Sequence, residues 1–324
     1  MKTRKFVAAL MTAAMLATSL GAGAVMAEEA ELLPGGDSKI IYCITPSTSN
    51  PYFGTVQNIA TETGEALGYE VKCFSHDDDA AKQLELFEAA VADKAAAIVC
   101  DNAGADASIE AIQKAYDAGI PTFLVDREIN QTGLAAAQLV ADNAQGAAAI
   151  AEAWVEAMGE EGKYAELLGL ESDTNAQVRS ENFHSVIDEY EGFEMVAQQA
   201  ANWDQTLAYE KTEAILQSNP EITGIICGND TMACGAVQAC IDAGRDDIKI
   251  IGVDGSDDAA AYIKSGDMVG TALQQIALIT KTAVEEADAY LNGTAPEEEK
   301  QLIPCIAITA DNVDNLSAFV YTEE

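Results

Sequence analysis

The sequence predicts an α/β protein made of two similar halves, each built on a parallel β-sheet. Short apolar runs rich in β-branched residues alternate with amphipathic stretches of about ten to fifteen residues along most of the chain. Such alternation is typical of right-handed crossovers between parallel strands. The strands are too many for one doubly wound sheet, so we place one half before about Ala141 and the other after about Asn143. A (β/α)₈ barrel is the alternative architecture, because the spacing alone fits both.

The first half opens with residues 39–45, a nearly continuous apolar run that suits a strand buried on both faces. The helix that follows has apolar residues at three- and four-residue steps and stops at Gly68, a favourable residue just beyond a helix. The same pattern then predicts strands at residues 70–75, 96–100, 122–125 and 135–140, and helices at residues 80–94 and 108–118.

The second half repeats the alternation, and Asn219-Pro220 separates two of its elements. Its strands are predicted at residues 164–168, 194–200, 224–227, 249–253 and 268–274, with a late strand at 302–308. Its helices are predicted at residues 145–158, 174–190, 205–217, 231–243, 257–265 and 276–291. We expect Asp230 to cap the helix at 231–243.

The N-terminus has the pattern of an export signal. Basic residues within the first five positions precede an apolar stretch over residues 6–20, and small residues follow up to Ala27. The apolar stretch is shorter than the roughly 20 residues that a membrane span requires. We therefore predict a signal peptide at residues 1–27, a flexible leader at 28–38, and export to the periplasm.

Charge and motifs exclude several classes of protein. A formal net charge of −37 disfavours nucleic acid and anionic membranes as partners. The sequence has no dinucleotide-binding glycine motif, no P-loop and no nucleophile elbow. Asp126 and Asp254 could imitate the carboxylate pair of a glycosidase, but we interpret both as acceptors for hydroxyl groups. The sequence therefore predicts a binding protein, not an enzyme.

Metal and cofactor sites are not predicted. The seven cysteines form no CxxC pair, and the histidines, His76 and His184, lack ligand spacing. The acidic run at residues 77–79 lacks the alternating ligands of a calcium loop, so we interpret it as a loop that caps the next helix. A disulfide between Cys43 and Cys73 remains open, since export would permit it.

Six short motifs occur in the order and spacing of a known family. They are Ser49-Asn50-Pro51-Tyr52-Phe53, Gly119-Ile120-Pro121 leading to Val125-Asp126-Arg127, Asp142-Asn143, Arg179-x-x-x-Phe183, Gly228-Asn229-Asp230, and Ile251-Gly252-Val253-Asp254-Gly255. Together they resemble the ribose-type periplasmic sugar-binding proteins over nearly all of the mature chain. The resemblance implies the type I periplasmic binding protein fold, in which two Rossmann-like lobes with parallel sheets are joined by three crossover hinge segments. It places the N-terminal lobe at residues 39–142 plus 275–303, and the C-terminal lobe at 143–274 plus 304–324.

The resemblance also implies a set of ligand-binding residues between the lobes. Aromatic side chains would flank a sugar ring, while amide and charged groups would bind its hydroxyls. Charge-assisted hydrogen bonds of this kind contribute roughly 1.5–3 kcal/mol each. The implied residues are Asn50, Tyr52, Phe53, Asp101, Asp126, Arg127, Arg179, Trp203, Asn229, Asp254 and Gln274.

Three positions depart from the ribose-type pattern. Val253 replaces a phenylalanine, which would thin one stacking wall, and Asp101 replaces an asparagine. Pro46 stands where the family often has a polar residue. We therefore expect a neutral sugar or sugar alcohol, either a pentose or a short polyol, and D-ribose itself is not favoured.

The resemblance implies a partner as well as a ligand class: such proteins deliver a sugar or polyol to the membrane permease of an ABC importer. A sensory receptor that reports the ligand to a membrane kinase or chemoreceptor is the alternative function. We expect a monomer with no cofactor and no nucleic acid partner.

Overall fold

The computed structural model describes residues 32–323 and contains two six-stranded sheets. In chain order the strands are β1 (Ile40–Thr45), β2 (Glu70–Ser75), β3 (Ala97–Cys100), β4 (Thr122–Val125), β5 (Ala137–Ala141), β6 (Glu161–Leu168), β7 (Gly192–Ala200), β8 (Gly224–Cys227), β9 (Lys249–Asp254), β10 (Gly270–Leu273), β11 (Lys300–Ile303), β12 (Ile306–Thr309), β13 (Leu316–Ser317) and β14 (Val320–Tyr321). The first sheet has the order β11-β5-β4-β3-β1-β2, and the second has the order β12-β10-β9-β8-β6-β7. Within these two sheets only β12 pairs antiparallel, with β10. Two open sheets confirm the predicted α/β class and exclude the barrel.

Helices cover both sheets. They are α1 (Pro51–Ala66), α2 (Ala80–Ala92), α3 (Ile109–Asp117), α4 (Asn143–Met158), α5 (Thr174–Ile187), α6 (Gln205–Ser218), α7 (Asp230–Asp242), α8 (Asp257–Ser265) and α9 (Ile276–Leu291). Although α9 comes late in the chain, it packs on α1, β4 and β5. We define the first lobe as the first sheet with α1–α3 and α9, and the second lobe as the second sheet with α4–α8. No helix within residues 32–323 combines the length and apolarity that crossing a membrane requires.

The chain changes lobe three times, as the resemblance implies. It leaves the first sheet after Ala141, returns after Leu273 and leaves again after Ile303. The single strand predicted at residues 302–308 is therefore wrong, because β11 and β12 belong to different sheets. Pro304 lies between them, where its missing N–H cannot serve a continuous ladder.

The segment before β1 is bound to the first lobe. The signal peptide predicted at residues 1–27 lies outside the described residues, but residues 32–38, expected to be a flexible leader, are described. Gly35 N donates to Gly119 O at 2.9 Å, and Gly36 N donates to Ala95 O at 2.8 Å. A Cβ at Gly36 would lie 2.0 Å from the Lys94 carbonyl oxygen. Only glycine permits this close approach. The composition of the segment had suggested a flexible leader instead.

The cysteine pair that the sequence left open lies on neighbouring strands. Cys43 of β1 and Cys73 of β2 are register partners, and both are free thiols in this structure.

Candidate ligand-binding site

A small cavity lies between the lobes, where loops at the carboxyl ends of strands from both sheets meet. Ligands of open α/β sheets bind at this edge. The cavity is small, with a volume of about 20 Å³. Ten of the eleven predicted residues line it, together with one unpredicted residue, Asp173. The lining residues are Asn50, Tyr52, Phe53, Asp126, Arg127, Asp173, Arg179, Trp203, Asn229, Asp254 and Gln274.

Asn50 fixes the aromatic residues of the first lobe. Its Oδ1 accepts a hydrogen bond from Tyr52 N at 3.0 Å and so caps α1, with a proline at the first helical position. This cap directs Tyr52 and Phe53 from the first helical turn into the cavity. The Tyr52 hydroxyl donates to Asp126 Oδ1 at 2.9 Å. One oxygen of the Asp126 carboxylate is therefore already held by the protein.

The two cavity arginines each stack on an aromatic ring. The guanidinium carbon of Arg127 lies 5.5 Å from the centre of the Phe53 ring. That of Arg179 lies 5.4 Å from the Trp203 ring. The indole fits against Gly169, where a Cβ would lie 2.0 Å from two of its ring carbons. Trp203 also has a φ of 64°, a left-handed conformation that is costly for a bulky residue.

Arg127 is surrounded by carboxylates. Its Nη1 donates to Asp78 Oδ1 at 2.6 Å and to the Asn102 carbonyl at 3.0 Å. Its Nε lies 2.9 Å from Asp173 Oδ2 and 3.4 Å from Asp101 Oδ1. Burial alone would lower the pKa of this guanidinium, but the nearby negative charges raise it. Its Nε is nevertheless buried without a hydrogen-bond partner within residues 32–323, so Nε as well as Nη2 is left without a hydrogen bond to the protein.

Arg179 is held in a similar way in the second lobe. Its Nε donates to Asn143 Oδ1 at 2.6 Å, and its Nη1 donates to the Gly228 carbonyl at 2.9 Å. The Asp254 carboxylate lies 3.7 Å from Nη1. Its Nη2 is likewise left for a ligand.

Asn229 caps α7 by accepting from Met232 N at 2.9 Å. The prediction that Asp230 caps this helix is wrong, because the extended backbone that a cap needs occurs one residue earlier. Asp230 is instead the first helical residue, and its side chain is buried.

The Asp230 carboxylate supports the turn that presents Asp254. Its Oδ2 accepts from Gly255 N at 2.9 Å and from Ser256 N at 2.8 Å. Asp254 itself has a φ of 136°, which is rare for a non-glycine residue. Its Oδ1 accepts from Gln274 Nε2 at 2.8 Å. Burial raises the pKa of the Asp254 carboxyl well above its ordinary value.

Asp101 lies behind Arg127 and does not line the cavity. It is 0% exposed, and both of its carboxylate oxygens lack a hydrogen-bond partner within residues 32–323. Burial raises its pKa well above the ordinary value, and the charge of Asp126 adds to this effect. The structure therefore places Asp101 beside the arginine, not beside a ligand.

Val253 and Pro46, the other two positions that depart from the ribose-type pattern, also lie away from the cavity. Val253 is buried in the core of the second lobe, beside Ile251 and Ala272, and it forms no stacking wall. Pro46 is buried but does not line the cavity.

Asp173 is the lining residue that the sequence analysis missed. It caps α5, since its Oδ1 accepts from Asn175 N at 2.9 Å. An aspartate just before a predicted helix is a recognisable capping signal, but capping alone gave no reason to place it in the cavity.

One residue of the acidic loop after β2 caps the next helix, as predicted. Asp79 caps α2 by accepting from Ala81 N and Lys82 N. Within residues 32–323 no group of His, Cys, Asp and Glu side chains could hold a metal ion.

Comparison with known proteins gives a consistent result. A D-apiose import binding protein of Actinobacillus succinogenes is 48% identical over 96% of this chain and 98% of its own length. A ribose import binding protein of Bacillus subtilis is 30% identical over 76% of this chain and 79% of its length. A solved periplasmic solute binding protein of an ABC transporter from Actinobacillus succinogenes, with bound D-allose, is 29% identical with a TM-score of 0.81. The match covers 85% of this chain and 99% of the chain in that structure.

These relatives are binding proteins, which confirms the interpretation as a binding protein and not an enzyme. Their names describe import, which favours uptake over the sensory alternative. Residues 41–295 match the family model described as a periplasmic binding protein domain. The resemblance inferred from the six motifs is thereby confirmed, and the chain belongs to the family of periplasmic binding proteins.

Proposed function

We propose that this protein binds a neutral pentose or short polyol between its lobes and delivers it to the membrane permease of an ABC importer. The observation that carries the proposal is the arrangement of the two arginines. Arg127 and Arg179 approach the same small cavity from opposite lobes, each stacked on a ring and each with Nη2 left over.

Unpartnered buried atoms favour a ligand with several hydroxyl groups. Trp203 Nε1 and Gln274 Oε1 are buried without a hydrogen-bond partner within the described chain. Buried polar groups of this kind are normally paired. A hydroxyl can accept from the indole N–H and donate to the amide oxygen, so a polyol satisfies both kinds of atom.

Charge favours a neutral ligand over an anionic one. Asp126, Asp173 and Asp254 line the cavity against only two guanidinium groups. The Nε and Nη1 atoms of both arginines already contact protein oxygens. Part of the fork that normally binds a carboxylate or phosphate is therefore already occupied by the protein.

Among neutral pentoses, D-apiose is our first candidate. The two relatives with 48% identity are D-apiose import binding proteins. We propose that the eleven residues that line the cavity, listed above from Asn50 to Gln274, bind this sugar.

Titration calorimetry with a panel of C4–C6 sugars and sugar alcohols tests the function. We expect D-apiose to bind with micromolar or tighter affinity, about −8 kcal/mol or better, and the corresponding sugar acids to bind far more weakly. No heat with any neutral member of the panel would reject the proposal.

We further propose that the protein is exported to the periplasm as a monomer. Mass spectrometry of the secreted protein should show cleavage after Ala27, and light scattering should give the mass of one chain. An uncleaved N-terminus would contradict the signal peptide.

A further inference from the structure

An ion pair joins two cavity residues across the cleft. Asp173 Oδ2 of the second lobe lies 2.9 Å from Nε of Arg127 in the first lobe, and both side chains are 3% exposed. Because the pair is buried, solvent screens it far less than a surface salt bridge.

Further contacts surround this pair. Ala105 N of the first lobe donates to Ser172 O at 3.1 Å, and Asn175 Nδ2 donates to Asp126 O at 3.2 Å. Residues 172–175 therefore contact the first lobe at three points. Apart from the partly buried Asn50, the cavity side chains of both lobes are almost fully buried, so a sugar can reach them only if the lobes separate here. Separation breaks all three contacts.

We propose that Asp173 is a positioning residue for ligand binding, which acts on Arg127 from the opposite lobe once the lobes have closed. This inference rests on the proposed function. Asp173 Oδ2 forms an ion pair with Nε of Arg127 at 2.9 Å and so restrains the guanidinium, although Nε makes no hydrogen bond within residues 32–323. Asp173 Oδ1 caps α5, the helix that carries Arg179. The Asp173 carboxylate thus orients Arg127 directly, and it orients Arg179 through α5, the helix that it caps.

The kinetic consequence is specific. A contact that forms only after closure slows ligand release without affecting the encounter. Asp173→Asn keeps a good helix cap but removes the negative charge that faces Arg127. We therefore expect its dissociation rate to rise about tenfold or more, with an association rate within about twofold of wild type.

Stopped-flow tryptophan fluorescence with D-apiose measures both rates, since Trp203 lines the cavity. Asp79→Asn is the matched control, because Asp79 caps α2 in the same way and does not line the cavity. Both of its rates should equal those of wild type. In an Arg127→Lys background, which lacks Nε, adding Asp173→Asn should change the dissociation rate by less than about twofold.

The outcomes separate the two proposals. A wild-type protein that gives no signal with D-apiose would overturn the proposed ligand. If wild type binds but Asp173→Asn releases D-apiose at the wild-type rate, or loses affinity only through association, the role of Asp173 is wrong. A full Asp173→Asn effect in the Arg127→Lys background would also overturn it.

Discussion

The guanidinium of Arg179 stacks on the indole of Trp203, with its central carbon 5.4 Å from the ring centre. Arg179 Nη1 also donates to the carbonyl of Gly228, and a Cβ at that glycine would lie 2.9 Å from the same indole. Arginine, indole and strand end thus form one packed unit. A guanidinium held by stacking and by two hydrogen bonds loses little further freedom when it binds a ligand.

Arg179→Met should weaken D-apiose binding about tenfold or more, because it removes a charged donor but keeps the length of the side chain. It should also cost about 1–3 kcal/mol of stability, since Asn143 Oδ1 and the Gly228 carbonyl lose their donor. Calorimetry and thermal unfolding measure the two effects. Arg245→Met is the matched control: Arg245 also donates to backbone carbonyls, outside the cavity, and its loss should leave affinity unchanged. Unaltered affinity in Arg179→Met would remove Arg179 from the site.

Gly169→Ala should weaken sugar binding by displacing the Trp203 ring. The new Cβ would lie 2.0 Å from two indole carbons, a clash that only movement of the ring relieves. We expect a loss of about tenfold or more in affinity and a shift in tryptophan emission. Gly54→Ala in α1 is the control, since no atom lies within 4 Å of its new Cβ. It should raise stability by up to about 1 kcal/mol and keep wild-type affinity. Equal affinities for both variants would contradict this account.

The resemblance to the sugar-binding family implied ten of the lining residues, and many of them lie near the edge where the carboxyl ends of the parallel strands meet. Its error over Val253 has a simple cause. Side chains alternate along a strand. Because Asp254 of β9 faces the cleft, the preceding Val253 faces the core. Asp173 was missed for a different reason: its cavity role depends on how closely the second lobe approaches Arg127, and no local pattern records that distance.

Asp101→Asn should stabilise the protein at neutral pH. Burial raises the pKa of this carboxyl above its unfolded value of about 3.9. Its contribution to stability is therefore full below about pH 3.9 and is lost as pH rises through the raised folded value. Asparagine does not titrate, so the stability of Asp101→Asn relative to wild type should increase as pH rises. We expect a thermal midpoint about 2 °C or more above wild type at pH 8 and a smaller difference at pH 4.5. A difference that is the same at both pH values would show that Asp101 does not titrate in this way.

His184→Gln should destabilise the second lobe most under mildly acidic conditions. His184 Nε2 lies 3.0 Å from Glu166 Oε2, and Glu166 is 1% exposed. The hydrogen bond to Glu166 raises the pKa of His184, although burial opposes this. Burial alone would raise the pKa of Glu166, but its bonds to His184 and Gln198 outweigh that effect and lower it.

The signs of these shifts define a pH window. The contribution of His184 is full below its unfolded pKa of about 6.5 and is lost as pH rises through the raised folded value. That of Glu166 is present above about pH 4.3 and is lost as pH falls. Both are therefore present near pH 5.5, where we expect His184→Gln to cost about 1 kcal/mol, or about 2–4 °C in thermal midpoint. At pH 9 the cost should shrink, because the neutral histidine of wild type no longer pairs with a charge. Lys114→Gln, which removes the exposed pair with Glu88, should change the midpoint little at either pH, and a His184→Gln cost that grows towards pH 9 would refute the ion pair.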